Sequence, residues 1–294
     1  MQRIGALEAG GTKMVLGIFD EQGKELARRT LPTLTPEETL PAMREFFEKH
    51  GIGALGVASF GPLDLDPASE TYGNITSTPK LKWRNYPLLK TLAGDTGIPC
   101  AIDTDVNAAV LAEAEYGAAK GVSDAVYITV GTGIGGGVLS GGNLVHGLLH
   151  PEIGHMLLRP HPDDPNPRGV CPYHDGCGEG LASGSAIGAR VRGDARALPD
   201  DHPTFQLEAY YLAQMCVNLI LTVSPRRIIL GGGVMERKAL FPMIRDKTKG
   251  LLNGYVQSPA VLTDIDKLIV PPALFPVSGL IGAYLLGKRA LLQQ

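Results

Sequence analysis

The stretch Ile4-Gly-Ala-Leu-Glu-Ala-Gly-Gly-Thr-Lys-Met-Val-Leu-Gly-Ile-Phe19 decides the fold that we expect for this chain. Its apolar ends, Ile4 to Leu7 and Val15 to Phe19, predict two strands, and Glu8 to Lys13 predicts a glycine turn that joins them as a hairpin. The turn offers backbone N–H groups and the Thr12 hydroxyl, which can bind phosphate oxygens. The spacing of a Walker A loop is absent, and a simple hairpin without a ligand is the alternative.

The same order of elements returns in the second half of the chain. Ala125 to Val130 predicts a strand that leads into the glycine-rich turn Gly131 to Gly137, which carries the hydroxyl of Thr132. This turn is not a convincing dinucleotide fingerprint, because the segment after it predicts a strand rather than a helix. A third glycine triplet, Gly231 to Gly233, also follows a predicted strand. One glycine turn in each half, together with the third triplet, favours a nucleotide held between the two halves.

The other predicted elements complete an α/β pattern. Thr35 is expected to cap a helix that begins at Pro36 and ends near His50. Further strands are expected at Glu25 to Thr30, Ala54 to Ala58, Cys100 to Ile102, Arg227 to Leu230 and Leu268 to Pro271, and further helices at Tyr86 to Gly97, Asp105 to Gly117, Thr204 to Thr222, from about Lys238, and at Ser278 to Leu292.

Composition sets limits on the class of protein. The chain has 294 residues, enough for two domains, and its hydrophobic and charged fractions of 44% and 19% are ordinary for a globular protein. A net charge of −3 gives no drive toward nucleic acid or anionic lipid, and no apolar run reaches the roughly 20 residues of a membrane span. With no secretory signal at its start, we expect a cytoplasmic protein without nucleic-acid or membrane partners. Trp83 is expected to be a surface-packed anchor, and a position near the bound substrate, where it would report closure of the cleft between the halves, is the alternative.

Two cysteines and two histidines suggest a metal site. Cys171, His174 and Cys177 fall within seven residues, and His155 lies sixteen positions upstream of Cys171. Two thiolates and two imidazoles suit a closed tetrahedral Zn²⁺ site. A disulfide between the two cysteines is the alternative. The other two cysteines, Cys100 and Cys216, lie in apolar runs, and we expect them to be small buried residues.

Two acids flank this cluster. Glu152 would lie one helical turn before His155, and Glu179 lies two residues after Cys177. Zinc sites that only brace a fold rarely have free carboxylates so close to their ligands, although a purely structural zinc with bystander acids is the alternative. We expect zinc to shape a loop that presents two carboxylates and an imidazole to a polar ligand.

A third polar group stands where a predicted strand meets a helix, in Asp103-Thr-Asp105-Val-Asn107. An acid at this point can accept a proton from a substrate hydroxyl. A helix N-cap at Thr104 or Asp105 is the structural alternative. We expect Asp105 to carry the chemistry and Asp103 to be a bystander, since Asp105 and Asn107 flank the first helical turn.

In this order and over almost the whole chain, the motifs resemble the ROK family of sugar kinases and repressors. The motifs are Gly10-Gly11-Thr12-Lys13, Asp105-Val-Asn107, Gly131-Thr-Gly-Ile-Gly135, Glu152-Ile-Gly-His155, the Cys/His cluster, and Glu179 with Ser183-Gly184. Variants that resemble the bacterial fructokinase branch are Glu8-Ala-Gly-Gly-Thr-Lys13, Ser59-Phe-Gly-Pro62, Thr76-Ser-Thr-Pro-Lys80 and the spacing Cys-x2-His-x2-Cys.

The resemblance implies an α/β, actin-like ATPase fold: two duplicated ribonuclease-H-like domains with ATP and a hexose in the cleft between them. The N-terminal domain would span residues 1–117 with the C-terminal helix at about 278–294, and the C-terminal domain, with the zinc-binding loop, residues 118–277. ATP, Mg²⁺ and Zn²⁺ are the implied cofactors, and a homodimer is the implied assembly. D-fructose is the expected acceptor, converted to fructose 6-phosphate, with mannose, glucose and N-acetylmannosamine as alternatives.

The resemblance also implies a role for each motif, with Asp105 as the general base. The residues implied at the nucleotide are Glu8, Gly10, Gly11, Thr12, Lys13, Thr132, Gly133, Gly231, Gly232 and Gly233. Those implied at the sugar are Gly61, Pro62, Thr78, Thr104, Asn107, Glu152, His155 and Glu179. The implied zinc ligands are His155, Cys171, His174 and Cys177.

The chain departs from the family pattern at three places. Glu8 replaces the family's first-strand Asp, Thr104 replaces an Asn before the base, and the Cys/His spacing differs from the Cys-x-Cys-x4-Cys of glucokinase-like members. The last two departures weaken glucose as the preferred substrate. A family repressor would carry a helix-turn-helix domain before the first strand, which is predicted here at Ile4, so we do not expect one. A non-catalytic sugar-sensing protein is the remaining alternative.

Overall fold

A computed structural model describes residues 2–78, 80–94 and 97–293. The chain divides into two compact units, the first made of Met1–Glu113, Val145–His150 and Pro276–Gln294 and the second of Ala114–Leu144 and Pro151–Phe275. The domain bounds that the resemblance implies stay a prediction. The helix expected at Tyr86 to Gly97 includes residues 95 and 96, which lie outside the described residues.

Each unit contains one five-stranded sheet. The strands are β1 Ile4–Ala9, β2 Lys13–Phe19, β3 Glu25–Pro32, β4 Ala54–Ser59, β5 Cys100–Thr104, β6 Ala125–Val130, β7 Ile134–Ser140, β8 Asn143–Leu144, β9 Arg227–Gly231 and β10 Ile269–Val270. The α-helices are α1 Pro36–His50, α2 Leu88–Ala93, α3 Asp105–Tyr116, α4 Gly178–Ala182, α5 Gly184–Val191, α6 Pro203–Thr222, α7 Leu240–Leu252, α8 Pro259–Leu262, α9 Ile265–Leu268 and α10 Ser278–Leu292. Short 3-10 turns lie at Leu81–Trp83, Ile153–His155, Ala195–Ala197 and Gly233–Glu236.

The first sheet has the order β3-β2-β1-β4-β5. In it β1 pairs antiparallel with β2, so that Leu7 faces Leu16, and parallel with β4, so that Leu7 also faces Val57. All three of these side chains are buried. Central strands buried on both faces are apolar along their length rather than alternating, which explains the continuous apolar runs around the first glycine turn. The predicted hairpin is confirmed.

The second sheet, β10-β9-β6-β7-β8, repeats this plan. Its central strand β6 pairs antiparallel with β7, where Ile128 faces Gly136, and parallel with β9, where Ile128 faces Leu230. A hairpin followed by a parallel strand thus occurs once in each unit. This repetition is the internal duplication that the sequence indicates.

Helix α1 begins and ends where its capping residues predict. The Thr35 backbone N–H donates to the Glu38 carboxylate at 3.1 Å, Pro36 opens the helix, and Gly51 ends it in the left-handed conformation at φ 58°. Glycine adopts that conformation without a steric penalty from Cβ.

Helix α10 packs directly against the first sheet. A Cβ on Gly56 of β4 would collide with the carbonyl oxygen of Ala283, and a Cβ on Gly287 would lie 2.7 Å from the backbone nitrogen of Gly56. Glycine at these positions therefore lets helix and strand backbones approach closely. Among the described residues, no helix is long and apolar enough to cross a membrane.

The expectation that Trp83 is a surface anchor is wrong. Its side chain is 2% exposed and belongs to the core of the first unit, and its indole N–H donates to the carbonyl oxygen of Leu34 at 2.7 Å. The 3-10 turn at Leu81–Trp83 carries it inward from a polar stretch that has no helical or strand period.

Candidate active site

The first glycine turn is held by its own backbone and by Thr33. The Gly10 N–H donates to the Lys13 carbonyl oxygen at 3.0 Å, the Thr33 hydroxyl donates to the Gly10 carbonyl oxygen at 2.7 Å, and the Thr33 N–H donates to that of Thr12 at 3.0 Å. Gly11, Thr12 and Lys13 are exposed. The turn is therefore fixed from below while its outer edge is open to a ligand.

Glu8 lies beneath this turn, at the N-terminal end of α10. Its carboxylate accepts a hydrogen bond from the Leu280 N–H, and a Cβ on Gly279 would lie 2.7 Å from the same carboxyl group. Burial raises the pKa of Glu8 above its ordinary value, although the charge of Lys13 and the Leu280 hydrogen bond partly oppose the shift. The Glu8 side chain, one carbon longer than the Asp of the family pattern, thus reaches the N-terminal end of α10.

Asp105 begins α3 and is half-buried. One residue earlier, the Thr104 hydroxyl accepts the Asn107 N–H at 3.1 Å, which makes Thr104 the cap of the helix. The capping interpretation of Thr104 is therefore correct. The side chains of Thr104 and Asn107 are both buried.

Asp103 makes structural contacts that the sequence does not indicate. Its side chain is buried, and its Oδ1 accepts the Thr104 N–H and the Asn107 amide, each at 2.8 Å. Its Oδ2 lies 2.8 Å from Nε2 of His146, and this hydrogen bond raises the pKa of His146 above its ordinary value. The carboxylate therefore fixes the position of the Asn107 amide.

His146 and His150 are the residues that sequence reasoning missed. They lie in the segment Val145–His150, which belongs to the first unit although the chain on both sides belongs to the second. His150 is buried, and its Nε2 accepts the Leu63 N–H at 3.0 Å, next to the cis peptide bond between Gly61 and Pro62. No spacing pattern could have revealed these contacts, since 87 positions separate His150 from Leu63.

Thr78 is buried and belongs to the same unit. Its hydroxyl accepts the Lys80 N–H at 3.3 Å, and its carbonyl oxygen accepts from the Arg84 guanidinium at 3.2 Å. These bonds hold Thr78 and Lys80 of the fructokinase-like motif Thr76-Ser-Thr-Pro-Lys80 in place.

In the second unit, Glu179 fastens the second glycine turn. Its Oε2 accepts the Ile134 N–H at 3.0 Å, and a Cβ on Gly133 would lie 2.5 Å from the same oxygen. Glu152 is exposed on its outer side, yet desolvation by the surrounding protein, and then the charge of Glu179, raise its pKa. Glu179 thus lies close enough for its charge to raise the pKa of Glu152.

Helix α5 supports this turn from the other side. The Gly184 N–H donates to the Gly131 carbonyl oxygen at 2.7 Å, and the Ser185 hydroxyl donates to the Thr132 carbonyl oxygen at 2.8 Å. The hydroxyl-bearing Thr132 is itself exposed. Gly184, which belongs to the Ser183-Gly184 motif, and its neighbour Ser185 therefore hold the turn from the start of α5.

The glycine triplet Gly231 to Gly233 also lies in the second unit, at the end of β9. Gly232 has φ 88°, and a Cβ there would lie 2.5 Å from the carbonyl oxygen of Val130 in β6. The conformation and the close approach both require glycine at this position. Gly233 is exposed and begins the 3-10 turn Gly233–Glu236.

The four predicted metal ligands converge. One ligand atom from each of His155, Cys171, His174 and Cys177 lies within 4.8 Å of all the others. The Sγ atom of Cys171 is 3.9 Å from Nδ1 of His155 and 3.7 Å from Nδ1 of His174, and Sγ of Cys177 is 3.7 Å from Nδ1 of His155. Tetrahedral zinc with ordinary bond lengths separates a sulfur from a nitrogen ligand by about 3.6 Å. The distances and the two thiol and two imidazole ligands therefore fit a tetrahedral Zn²⁺ ion.

The disulfide alternative is wrong, because Cys171 and Cys177 are both free thiols. Cys216 is buried, as expected, and burial raises the pKa of its thiol to about 12. Cys100 is half-buried and packs against the core of the first unit, so the expectation of a buried residue holds only in part for it.

A buried ion pair anchors the segment before the cysteines. Asp164 accepts from the Arg190 guanidinium at 2.9 Å and from the Tyr211 hydroxyl at 2.6 Å. The side chains of Asp164 and Arg190 are 0% and 3% exposed. Burial alone would raise the pKa of Asp164, but the bonds from Arg190 and Tyr211 lower it overall. Arg190 also donates to the carbonyl oxygen of Leu181, so the pair ties this segment to α4.

Comparison with known proteins identifies the family. The model of the ROK family matches residues 4–290. A putative fructokinase of Bacillus subtilis is 46% identical over 288 residues, which is 98% of this chain and 96% of that protein. A fructokinase of Pediococcus pentosaceus is 43% identical over 288 residues, covering 98% of both chains.

Solved structures give the same result. The crystal structure of a ROK hexokinase from Thermus thermophilus matches with a TM-score of 0.80 and 28% identity, covering 100% of both chains. The expected α/β fold of the actin-like ATPase class is confirmed by this similarity and by the two mixed sheets. Matched from residue 4 to residue 290 and close to 45% identical to relatives of the same length, the chain belongs to the ROK family.

Proposed function

We propose that this protein is an ATP-dependent sugar kinase that transfers the γ-phosphoryl group of ATP to the 6-hydroxyl of D-fructose. Similarity to two fructokinases over 98% of the chain carries the proposal. The arrangement at the start of α3 supports it, because the half-buried Asp105 stands beside an Asn107 whose amide is fixed by Asp103.

Asp105 is proposed to accept the proton of the attacking hydroxyl. A positioned base of this kind typically contributes about 10² to 10⁴ in rate. Backbone N–H groups of the turns at Gly10 to Lys13 and Thr132-Gly133 would bind the phosphates, Gly231 to Gly233 would contact the adenosine, and Glu8 would act near the magnesium ion. When bound, Mg²⁺ neutralises part of the negative charge on the phosphoryl oxygens.

The proposed sugar ligands carry acceptors or are small groups. They are Gly61, Pro62, Thr78, Thr104, Asn107, Glu152, His155 and Glu179. Carboxylates and an amide can hold several hydroxyls in fixed directions, which positions the reacting hydroxyl for attack. The hydroxyl of Thr104 already accepts the Asn107 N–H, so it would contribute its O–H or its second lone pair to the sugar.

We propose that His155, Cys171, His174 and Cys177 hold one Zn²⁺. Four protein ligands leave no open position, so the ion would brace the fold and would not activate water. Bracing matters here because Glu152 lies three residues before one ligand and Glu179 two residues after another. The metal would thus fix the two acids that the sugar needs.

The test is a coupled ADP-release assay with MgATP across fructose, mannose, glucose and N-acetylmannosamine, with the phosphorylated carbon identified by NMR. We expect kcat/KM to be highest for fructose and the product to be the 6-phosphate. A maximum on another hexose would keep the kinase and replace the substrate. No turnover of any sugar would refute the kinase and favour a sugar-sensing protein.

We also propose a homodimer in the cytoplasm, on the family resemblance. Light scattering coupled to gel filtration measures the mass directly. A mass of one chain across the working concentration range would refute the dimer.

A further inference from the structure

Lys80 lies beside the first glycine turn. A Cβ on Gly11 would lie 3.3 Å from Cε and 3.9 Å from Nζ of Lys80. Gly11 is exposed, so the ammonium group stands at the open edge of the turn rather than beneath it. Together with Lys13, it places a second cation at a turn rich in backbone N–H groups.

The backbone of Lys80 is fixed from both sides. Its N–H donates to the buried Thr78 hydroxyl at 3.3 Å, and its carbonyl oxygen accepts the Trp83 N–H at 2.8 Å. Trp83 is in turn held in the core by its bond to Leu34. The position of the lysine is therefore set by the fold and does not depend on a ligand.

Among the residues that the structure describes, no acidic partner explains the location of the Lys80 side chain. Within residues 2–78, 80–94 and 97–293, no carboxylate forms an ion pair with it. Its ammonium lies 5.9 Å from the ring centroid of Phe60, which packs edge-on against Trp83. A half-buried ammonium against an aromatic face, with no counter-ion from the described chain, is suited to an anionic ligand.

We propose that Lys80 binds the terminal phosphate of ATP, the group that is transferred. This inference rests on the proposed function. On one side Lys80 borders the phosphate turn at Gly11, and on the other its N–H is bonded to Thr78, a proposed sugar residue. In a sugar kinase, the group that lies between the phosphate turn and the sugar is the γ-phosphoryl group of ATP, which is being transferred.

The proposed transfer moves no proton to or from Lys80. The sugar oxygen forms its bond to the γ-phosphorus as the bond from that phosphorus to the β–γ bridging oxygen breaks. ADP leaves with the electron pair, and the hydroxyl proton passes to Asp105. The ammonium stabilises the negative charge on the transferred oxygens, and removal of one such preorganised donor typically costs about 10²-fold in rate.

The experiment compares Lys80→Met, Lys80→Arg and, as the matched control, Lys82→Met, which alters an exposed lysine two residues away. Steady-state kinetics give kcat and KM for MgATP and for fructose, and calorimetry gives the Kd values of ADP and of a non-hydrolysable ATP analogue. We expect Lys80→Met to lower kcat/KM for MgATP about 100-fold and to weaken the analogue more than ADP. The KM for fructose should be nearly unchanged, Lys80→Arg should retain part of the activity, and Lys82→Met should match the wild type.

Equal weakening of ADP and the analogue would overturn the assignment to the terminal phosphate. A raised KM for fructose with an unchanged KM for MgATP would assign Lys80 to the sugar and also overturn it. If the wild type phosphorylates no hexose, the proposed function fails, but the comparison of ADP with the analogue still tests Lys80 alone. A circular dichroism spectrum and melting temperature equal to those of the wild type would show that each variant is folded.

Discussion

Nε2 of His146 lies 2.8 Å from Oδ2 of Asp103, and the other oxygen of the same carboxylate holds the amide of Asn107. The histidine lies 43 positions from its partner along the sequence, in the segment Val145–His150 that returns to the first unit. A buried carboxylate with both oxygens engaged orients the first turn of α3, where Asp105 stands.

This pair predicts a pH-dependent contribution to stability. Because the bond to Asp103 raises the pKa of His146, the contribution is complete below the ordinary histidine value of about 6.5 and is lost as pH rises through the raised pKa. We expect Asp103→Asn to lower the melting temperature most near pH 5.5 and less at pH 9. His146 is 40% exposed, so added salt should reduce the difference. A melting-temperature difference that is independent of pH would contradict this prediction.

Replacing the proposed base should affect catalysis and leave binding intact. We expect Asp105→Asn to lower kcat by about 10² to 10⁴ with little change in the Kd of fructose, because the side chain keeps its size and loses its proton affinity. Asp103→Asn is the comparison, and it should mainly raise the KM for fructose through the displaced Asn107 amide. Near-normal turnover by Asp105→Asn would remove it from the mechanism.

Zinc removal should lower both activity and stability. We expect about one zinc per chain by metal analysis, and a loss of kinase activity after chelation that re-addition of Zn²⁺ restores. Cys177→Ser should reproduce the loss, whereas Cys100→Ser, outside the cluster, should keep both metal and activity. Undiminished sugar phosphorylation by metal-free protein would refute the role of zinc.

The buried ion pair of Asp164 should be a major source of stability in the second unit. Asp164→Asn leaves the Arg190 guanidinium buried without its counter-charge, which typically costs about 3 to 5 kcal/mol in the free energy of unfolding. Asp163→Asn is the matched control, since its side chain is 88% exposed, and it should change stability little. Urea unfolding of both variants measures the difference, and equal midpoints would contradict the assignment.

Glu208 should make the folded protein less stable as the pH rises. It is fully buried, neither carboxylate oxygen has a hydrogen-bond partner among the described residues, and burial raises its pKa well above the ordinary value. The folded state therefore holds this proton more tightly than the unfolded state, so stability falls as pH rises above about 4.3.

We accordingly expect Glu208→Gln to raise the melting temperature relative to the wild type, with a gain that grows from pH 5 to pH 8. Thermal unfolding across that range is the measurement. A gain that stays constant or shrinks with pH would show that the carboxyl is ionised at low pH in the folded protein.

The sequence by itself determined the fold class, both hairpins, helix α1 and the convergence of four side chains that can bind a metal. Apolar runs around glycine turns predicted both hairpins, the cap at Thr35 and Gly51 predicted α1, and the spacing of Cys171, His174 and Cys177 predicted their convergence with His155. These features depend on residues that are close in sequence or that follow a fixed spacing, so they can be predicted from the sequence alone.

Only the tertiary structure decided the contacts of Asp103, His146, His150 and Lys80, and the burial of Trp83. Each depends on a contact between residues far apart in sequence, such as His150 with Leu63, or between a loop without period and the core. A single sequence contains no period or spacing that records such contacts, because they are set by the way the chain returns to its own sheet. For this reason Asp103, one strand residue among several apolar ones, could be judged only once its partners were known.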